Sequence, residues 1–193
     1  SPDRIAAARP RQVHGVRVVE ANAWGDELGE ADAVHTAQPA LVVGVVTADC
    51  APILVRSFGG RVLAIHAGWR GLAAGVVEAG IDAFREAGAD DRFSAVVGPC
   101  AGECCYEVDA PVLDALGARY GPDLAATSRP SREGHAMLDL GGLVARALRG
   151  AGVEEVGTTR VPGTCTICDT RFESFRRDGD GAGRMLHWIA ARS

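Results

Sequence analysis

The sequence predicts one domain of strands and helices layered around a mixed sheet, in the α/β or α+β class. Short apolar runs alternate with segments of helical spacing. Glycine or proline punctuates the ends of both, and no repeat, low-complexity tract or linker divides the 193 residues. A chain of this length can bury a substantial core.

Taken in order, Leu41–Val46 is continuously apolar and reads as a buried strand. Ile53–Arg56 and Arg61–Ile65 flank Ser57-Phe58-Gly59-Gly60, the pattern of a hairpin. Leu72–Ala87 places Leu72, Val76, Val77, Ile81 and Phe84 on one helical face and closes at Gly88. Phe93–Val97 reads as another strand. Asp109 and Pro111 open a helix that runs to Tyr120, where Gly121-Pro122 stops it. Leu138–Leu148 reads as a helix closed by Gly150, Val153–Thr158 as a strand, and Met185–Ala190 as a terminal strand.

Composition narrows the function. Apolar residues make up 47% and charged residues 23%, ordinary for a soluble domain. The net charge is −5 and no basic stripe stands alone; even Arg171, Arg176 and Arg177 are interleaved with Glu173, Asp178 and Asp180. A binder of the phosphate backbone needs such a stripe, so nucleic acid is not an expected partner. No apolar run has the length of a membrane span, and no signal-peptide core opens the chain. The expectation is a cytoplasmic protein with no membrane partner. Its six cysteines then read as reduced thiols rather than as a disulfide framework.

Three ligand-type residues sit in distinctive surroundings: His14 in Gln12-Val13-His14-Gly15, Cys50 in Thr47-Ala48-Asp49-Cys50, and His66 in His66-Ala67-Gly68-Trp69-Arg70-Gly71. Alone, each is more often a core or capping residue. Together they are stronger, because strands joined by a hairpin bring Cys50 and His66 to one sheet edge. One thiolate and two imidazoles suit zinc, with copper possible, and three protein ligands leave a fourth position for substrate. Asp49 beside the thiol is a candidate acid/base or ligand-orienting group. Arg70, at a glycine-rich helix start, is a candidate anion clamp.

Gly98-Pro99-Cys100-Ala101-Gly102-Glu103-Cys104-Cys105-Tyr106-Glu107 is the second dense cluster. It lacks the spacing and the His-x-Glu partner of the nucleobase deaminases, which excludes that family. Cys165-Thr166-Ile167-Cys168 has the spacing of a zinc knuckle or a redox pair. A four-thiolate structural zinc shared with the Cys100 cluster is one option; the favoured reading places Cys165-Thr166 on a loop near the site. Phe175-Arg176-Arg177-Asp178-Gly179 offers cationic substrate contacts or a solvated charge run.

These blocks, in this order from about Arg11 onward, resemble the laccase-domain (YfiH-like) family, named for multicopper polyphenol oxidation and reassigned to zinc-dependent purine nucleoside phosphorolysis with adenosine deaminase activity. The resemblance implies an α+β sandwich with a mixed sheet flanked by helices. It implies a metal on His14, Cys50 and His66, and a small-molecule substrate pair of purine nucleoside and phosphate. Expected catalytic groups are Cys50, Asp49 and Arg70, and expected substrate contacts are Arg70, Cys100 and Arg176. A homodimer is a further expectation. So is a single domain over 1–193 without the family's N-terminal segment. Two rival chemistries remain. Copper-dependent phenol oxidation would need a histidine-rich trinuclear cluster, for which only His35, His135 and His187 are left. A cysteine amidase editing peptidoglycan precursors would use Cys50 as nucleophile and His66 as base.

Overall fold

The computed structural model describes residues 6–89, 92–158 and 164–192. Its centre is a six-stranded mixed sheet built from β1 (Val18–Glu20), β2 (Ala33–Thr36), β4 (Ala51–Ser57), β5 (Val62–Ala67), β6 (Phe93–Val97) and β10 (Glu155–Thr158). The strands lie in the order β1-β2-β5-β4-β6-β10. The outer pairs β1–β2 and β6–β10 are parallel, and the three inner pairings are antiparallel.

Side-chain alternation sorts each strand between two cores. Leu63 and Ile65 of β5, with Ile53 and Val55 of β4, face α2 (Val76–Glu86) and α5 (Leu140–Gly150). Val62 and Ala64, with Val34 and Leu54, face a two-stranded antiparallel layer made of β3 (Val42–Thr47) and β11 (Met185–Ala190). The result is the expected α+β sandwich. A small three-stranded sheet, β7 (Glu107–Asp109), β9 (His135–Leu138) and β8 (Ser128–Pro130), packs with α3 (Ala110–Tyr120) and α4 (Pro122–Ala125) to one side. A single turn, α6 (Phe175–Asp178), closes the set near the C-terminus.

The expected helix over Leu72–Ala87 is instead two helices, α1 (Trp69–Ala74) and α2, parted at Gly75. Gly75 has φ 96°, a left-handed C-cap conformation that favours glycine. The carbonyls freed at the break are taken by Arg119, which donates to Ala73 at 3.0 Å and Ala74 at 3.1 Å. The pattern of apolar residues survives the break, so periodicity alone does not reveal it. The expected helix over Leu138–Leu148 begins two residues later and runs through Gly150 rather than stopping at it; the left-handed glycine beyond its end is Gly152, at φ 83°. Asp139 caps the helix start by accepting from the Gly142 N–H, and Leu138 ends β9. No helix among the described residues is long and apolar enough to cross a membrane.

Candidate metal centre and active site

The β4–β5 hairpin builds the site. Its register sets Ala51 against Ala67 and Pro52 against His66, so Cys50 enters β4 beside the end of β5. The Leu41–Val46 strand that precedes the thiol in sequence belongs to the other layer, and Cys50 instead leads into its own hairpin strand. His66 shares the even-numbered face of Val62 and Ala64. Cys50 has the parity of Pro52 and Leu54, so thiol and imidazole emerge on one face.

His14 arrives from the N-terminal loop. The Gln12 amide pairs with Val46 as a strand neighbour would, donating to its carbonyl at 2.7 Å and accepting its N–H at 2.8 Å. The ligating atoms of His14, Cys50 and His66 all fall within 4.8 Å of one another. Cys50 Sγ is 3.8 Å from His14 Nε2, and the two imidazole rings meet edge to face. Gly68 leaves the space for this convergence: a Cβ there would lie 2.8 Å from His14 Cδ2 and 3.0 Å from Cys50 Sγ.

The residue that organises the cluster was not singled out from sequence. Asp32, fully buried, accepts from His66 Nδ1 at 2.8 Å and from the backbone N–H groups of Val13, His14 and Gly15 at 3.2, 2.9 and 2.7 Å. One carboxylate thus holds two of the three candidate ligands. It fixes the His66 ring so that Nε2 faces Cys50, and it gathers the loop that places His14 at φ 60°. Nothing around Asp32 in sequence marks it, since its partners are 17 to 34 residues away.

The charges are mutually arranged. Burial pulls the His66 imidazole down, yet the Asp32 carboxylate and the Cys50 thiol outweigh it and lift it to about 9. Burial pushes the Cys50 thiol up, yet His14 and His66 outweigh it and bring it to about 7. A thiol that ionises near neutrality between two imidazoles, one oriented by a buried carboxylate, is the donor set of a zinc-type site. The residues present therefore fit a divalent ion.

Asp49 is 8% exposed and has φ 86°. Its carboxylate accepts from Thr166 Oγ1 at 2.6 Å, Ser174 Oγ at 3.0 Å and the Arg176 N–H at 2.7 Å. Cys165-Thr166 therefore lies on a loop at the site, as expected. Arg176 donates to the Glu107 carbonyl at 2.9 Å and stacks over Tyr106. Arg177 is tied back to the carbonyls of Thr166, Ile167 and Phe172 and to Asp178.

A cavity of about 550 Å³ opens beside the cluster, lined by Trp69, Arg70, Tyr106, Glu107, Arg132 and Arg176 among others. Tyr106 connects the two: burial first, and then the Cys50 and Asp49 charges, push its phenol up to about 12. Arg70 stacks on Trp69, and Arg132 pairs with Glu107 at 3.0 Å. Cys100, expected at the substrate, is 4% exposed in the helix-side core and does not line this cavity. Its carbonyl accepts the Thr166 N–H. A larger cavity of about 680 Å³ lies around the far turn of the hairpin, Arg56–Gly60, away from every ligating side chain named above.

Fold and site together define an α+β protein with a two-histidine, one-cysteine metal-type centre on a hairpin end, next to an arginine- and aromatic-lined cavity. Residues 2–192 match the family described as multi-copper polyphenol oxidoreductase laccase, and the chain belongs to that family. It is 39% identical over 181 residues to a purine nucleoside phosphorylase of Pseudomonas aeruginosa, an alignment covering 92% of this chain and 72% of that protein. It is 36% identical over 182 residues to the purine nucleoside phosphorylase YfiH of Escherichia coli, covering 92% and 71%. Among solved structures it is similar to a Neisseria meningitidis protein at TM-score 0.87 and 31% identity, covering 99% of this chain and 77% of that one. YlmD from Geobacillus stearothermophilus gives TM-score 0.84 at 30% identity, covering 94% and 72%.

Proposed function

We propose that this chain is a zinc-dependent purine nucleoside phosphorylase with adenosine deamination as a side activity. The observation that carries the reading is the adjacency of the His14/Cys50/His66 centre to a cavity whose walls offer aromatic faces and guanidinium groups. Relatives named purine nucleoside phosphorylase at 36–39% identity support it. His14, Cys50 and His66 would hold a zinc ion, which when bound would supply Lewis acidity toward substrate and toward a water molecule.

The chain's own residues do the rest. Arg70 has its guanidinium on the cavity wall and holds phosphate by charge-assisted hydrogen bonds. Arg176 is fixed by the Glu107 carbonyl and the Tyr106 ring, and forms the wall against which the nucleoside rests. Asp49 anchors the strap bearing Thr166, Ser174 and Arg176 beside the thiol, a positioning role in keeping with its full set of donors. Phosphate attack at the anomeric carbon breaks the bond to the purine nitrogen, and the proton that phosphate gives up on forming the ester ends on that nitrogen as the base leaves. The test is zinc-loaded protein with adenosine and phosphate. Adenine with ribose 1-phosphate reports phosphorolysis, and inosine reports deamination. Neither product forming rejects the proposal.

One arrangement favours a second reading, a thiol hydrolase: Cys50, His66 and Asp32 stand in nucleophile, base and orienter order. Amide cleavage that survives chelation would establish it. Phenol oxidation by a multicopper centre finds no support in the remaining imidazoles. His35 packs against Phe84, His135 meets the Glu133 carbonyl, and His187 meets Thr47, so they converge on no common point.

A further inference from the structure

Away from the first centre, four thiols converge: the ligating atoms of Cys104, Cys105, Cys165 and Cys168 all lie within 4.8 Å of one another. None is in a disulfide. We propose that they form a second, structural zinc site of four thiolates, stapling the loop 101–106 to the strap 164–178.

Geometry is the first argument. A tetrahedral zinc with Zn–S bonds of about 2.3 Å has sulfur–sulfur edges of about 3.8 Å. Cys104 Sγ and Cys168 Sγ stand 3.7 Å apart, although 64 residues separate them. Both loops are already bent to suit. Cys105 and Tyr106 donate their N–H groups to the Gly102 carbonyl, forming the turn that carries Cys104 and Cys105. Cys165-x-x-Cys168 closes a second turn, with Asp169 N–H donating to the Cys165 carbonyl at 2.9 Å.

Polarity is the second argument. The Gly102 N–H donates to Cys165 Sγ at 3.2 Å. A backbone donor of this kind offsets the negative charge that a metal-bound sulfur carries. Four thiols binding Zn²⁺ release four protons and leave a centre of net charge −2. Arg177, its charge paired with Asp178, donates to the Thr166 and Ile167 carbonyls and so braces the backbone of the knuckle.

The contrast with the first centre assigns the role. Four protein sulfurs close a tetrahedron, so no position remains for substrate, and such sites contribute folding energy rather than chemistry. What the staple holds is consequential. Thr166, one residue from Cys165, donates to both Asp49 and the Cys100 carbonyl, and Ala101 donates to the Asp49 carbonyl. Through these contacts the second site fixes the strap that frames the first.

The test is full-length protein purified with zinc under reducing conditions, its metal counted by mass spectrometry of the elements. A His14→Ala/Cys50→Ser variant is expected to keep about one equivalent. Replacing that zinc by cobalt should give intense thiolate-to-cobalt charge transfer and the visible bands of a tetrahedral tetrathiolate. Adding Cys104→Ser/Cys168→Ser should abolish both metal and bands. Should the added substitutions impair folding, the cobalt spectrum of the His14→Ala/Cys50→Ser protein alone decides the matter. No retained metal, a cobalt spectrum without tetrathiolate character, or a Cys104–Cys168 disulfide found by mass after alkylation would each overturn the proposal. Failure of the phosphorylase reading appears separately, as absent turnover by zinc-loaded wild-type protein.

Discussion

Two thiol-bearing clusters lie within one strap's reach of each other, and they differ in every respect that decides function. The His14/Cys50/His66 centre mixes sulfur with imidazole, rests on a buried carboxylate and is followed, three residues after His66, by the wall of a cavity at Trp69. The Cys104/Cys105/Cys165/Cys168 cluster is all sulfur, sits on two turns and has a backbone N–H directed at one of its sulfurs. The first has the composition of a reactive centre and the second that of a closed one. The lesson is that cysteine count says little; what surrounds each sulfur assigns its work.

The largest expected effect breaks this asymmetry at the first centre. Cys50→Ser removes one of three ligands there and leaves the four-thiol cluster untouched. Phosphorolysis should fall to background while about one zinc equivalent remains on the protein. Metal counting alongside an adenine-release assay checks both halves. Equal loss of zinc from both centres would show them to be a single coupled unit.

Next comes Asp32→Asn, which keeps the shape but weakens the grip on His66 and on the His14 loop. Loss of an orienting carboxylate costs ~10–100-fold in metal affinity. Competition with a zinc-binding dye measures it. Gly68→Ala probes the same centre sterically, with every ligand intact. Its Cβ would fall 2.8 Å from His14 Cδ2, so the loop must retreat. A misplacement of about 1 Å near reacting groups can cost ~10²-fold in rate. Unchanged kcat/KM would mean that His14 is not held where the described geometry places it.

Arg70→Ala sharpens the comparison from the cavity side. Only the first centre has a substrate to lose, so zinc content should stay constant while KM for phosphate rises by about tenfold, in line with one charge-assisted hydrogen bond. Arg70→Lys should recover only part of the loss, because an ammonium lacks the planar fork. A fall in kcat with KM unchanged would move Arg70 from phosphate holding to the chemical step.

Much of the scaffold was legible because burial leaves a linear trace. The apolar runs of β3, β5 and β6 and the glycine-closed helices α2 and α5 are segments whose own residues state their period. The three side chains that converge, His14, Cys50 and His66, were legible through their local sequences. Asp32 was not, because a carboxylate gathering partners from residues 13–15 and 66 carries no local pattern. Strands β1, β2 and β7–β9 were missed for a related reason. At three or four residues each they are shorter than any periodicity, and sheet neighbours rather than their own composition hold them extended. Gly75 inside an apolar helical repeat shows the converse case, where a correct period hides a break supplied by backbone geometry.

The smallest effect belongs to a histidine that neither cluster uses. His187 on β11 meets Thr47 at 2.9 Å, and burial depresses its imidazole to about 4 from an ordinary 6.5. A depressed histidine is neutral in the fold and protonates more readily when unfolded, so it lowers stability as pH falls from 6.5 toward 4. The full span is worth at most ~3 kcal/mol. His35, also depressed by burial, adds to the same slope. His66 runs the other way: its raised pKa contributes stability already complete below 6.5 and lost only as pH rises through about 9. Asp32 and Asp169, both lowered, surrender their contributions only below the ordinary carboxylate range. Glu107, lowered from 4.5 by Ser131 and Arg132, joins only at the acid end, so from 6.5 to about 4.5 the window is read by His187 and His35. Denaturant midpoints of metal-free protein across it should decline, and His187→Gln should flatten the decline without altering zinc capacity. A slope unchanged in that variant would assign the acid sensitivity to His35, on the helix side of the sheet.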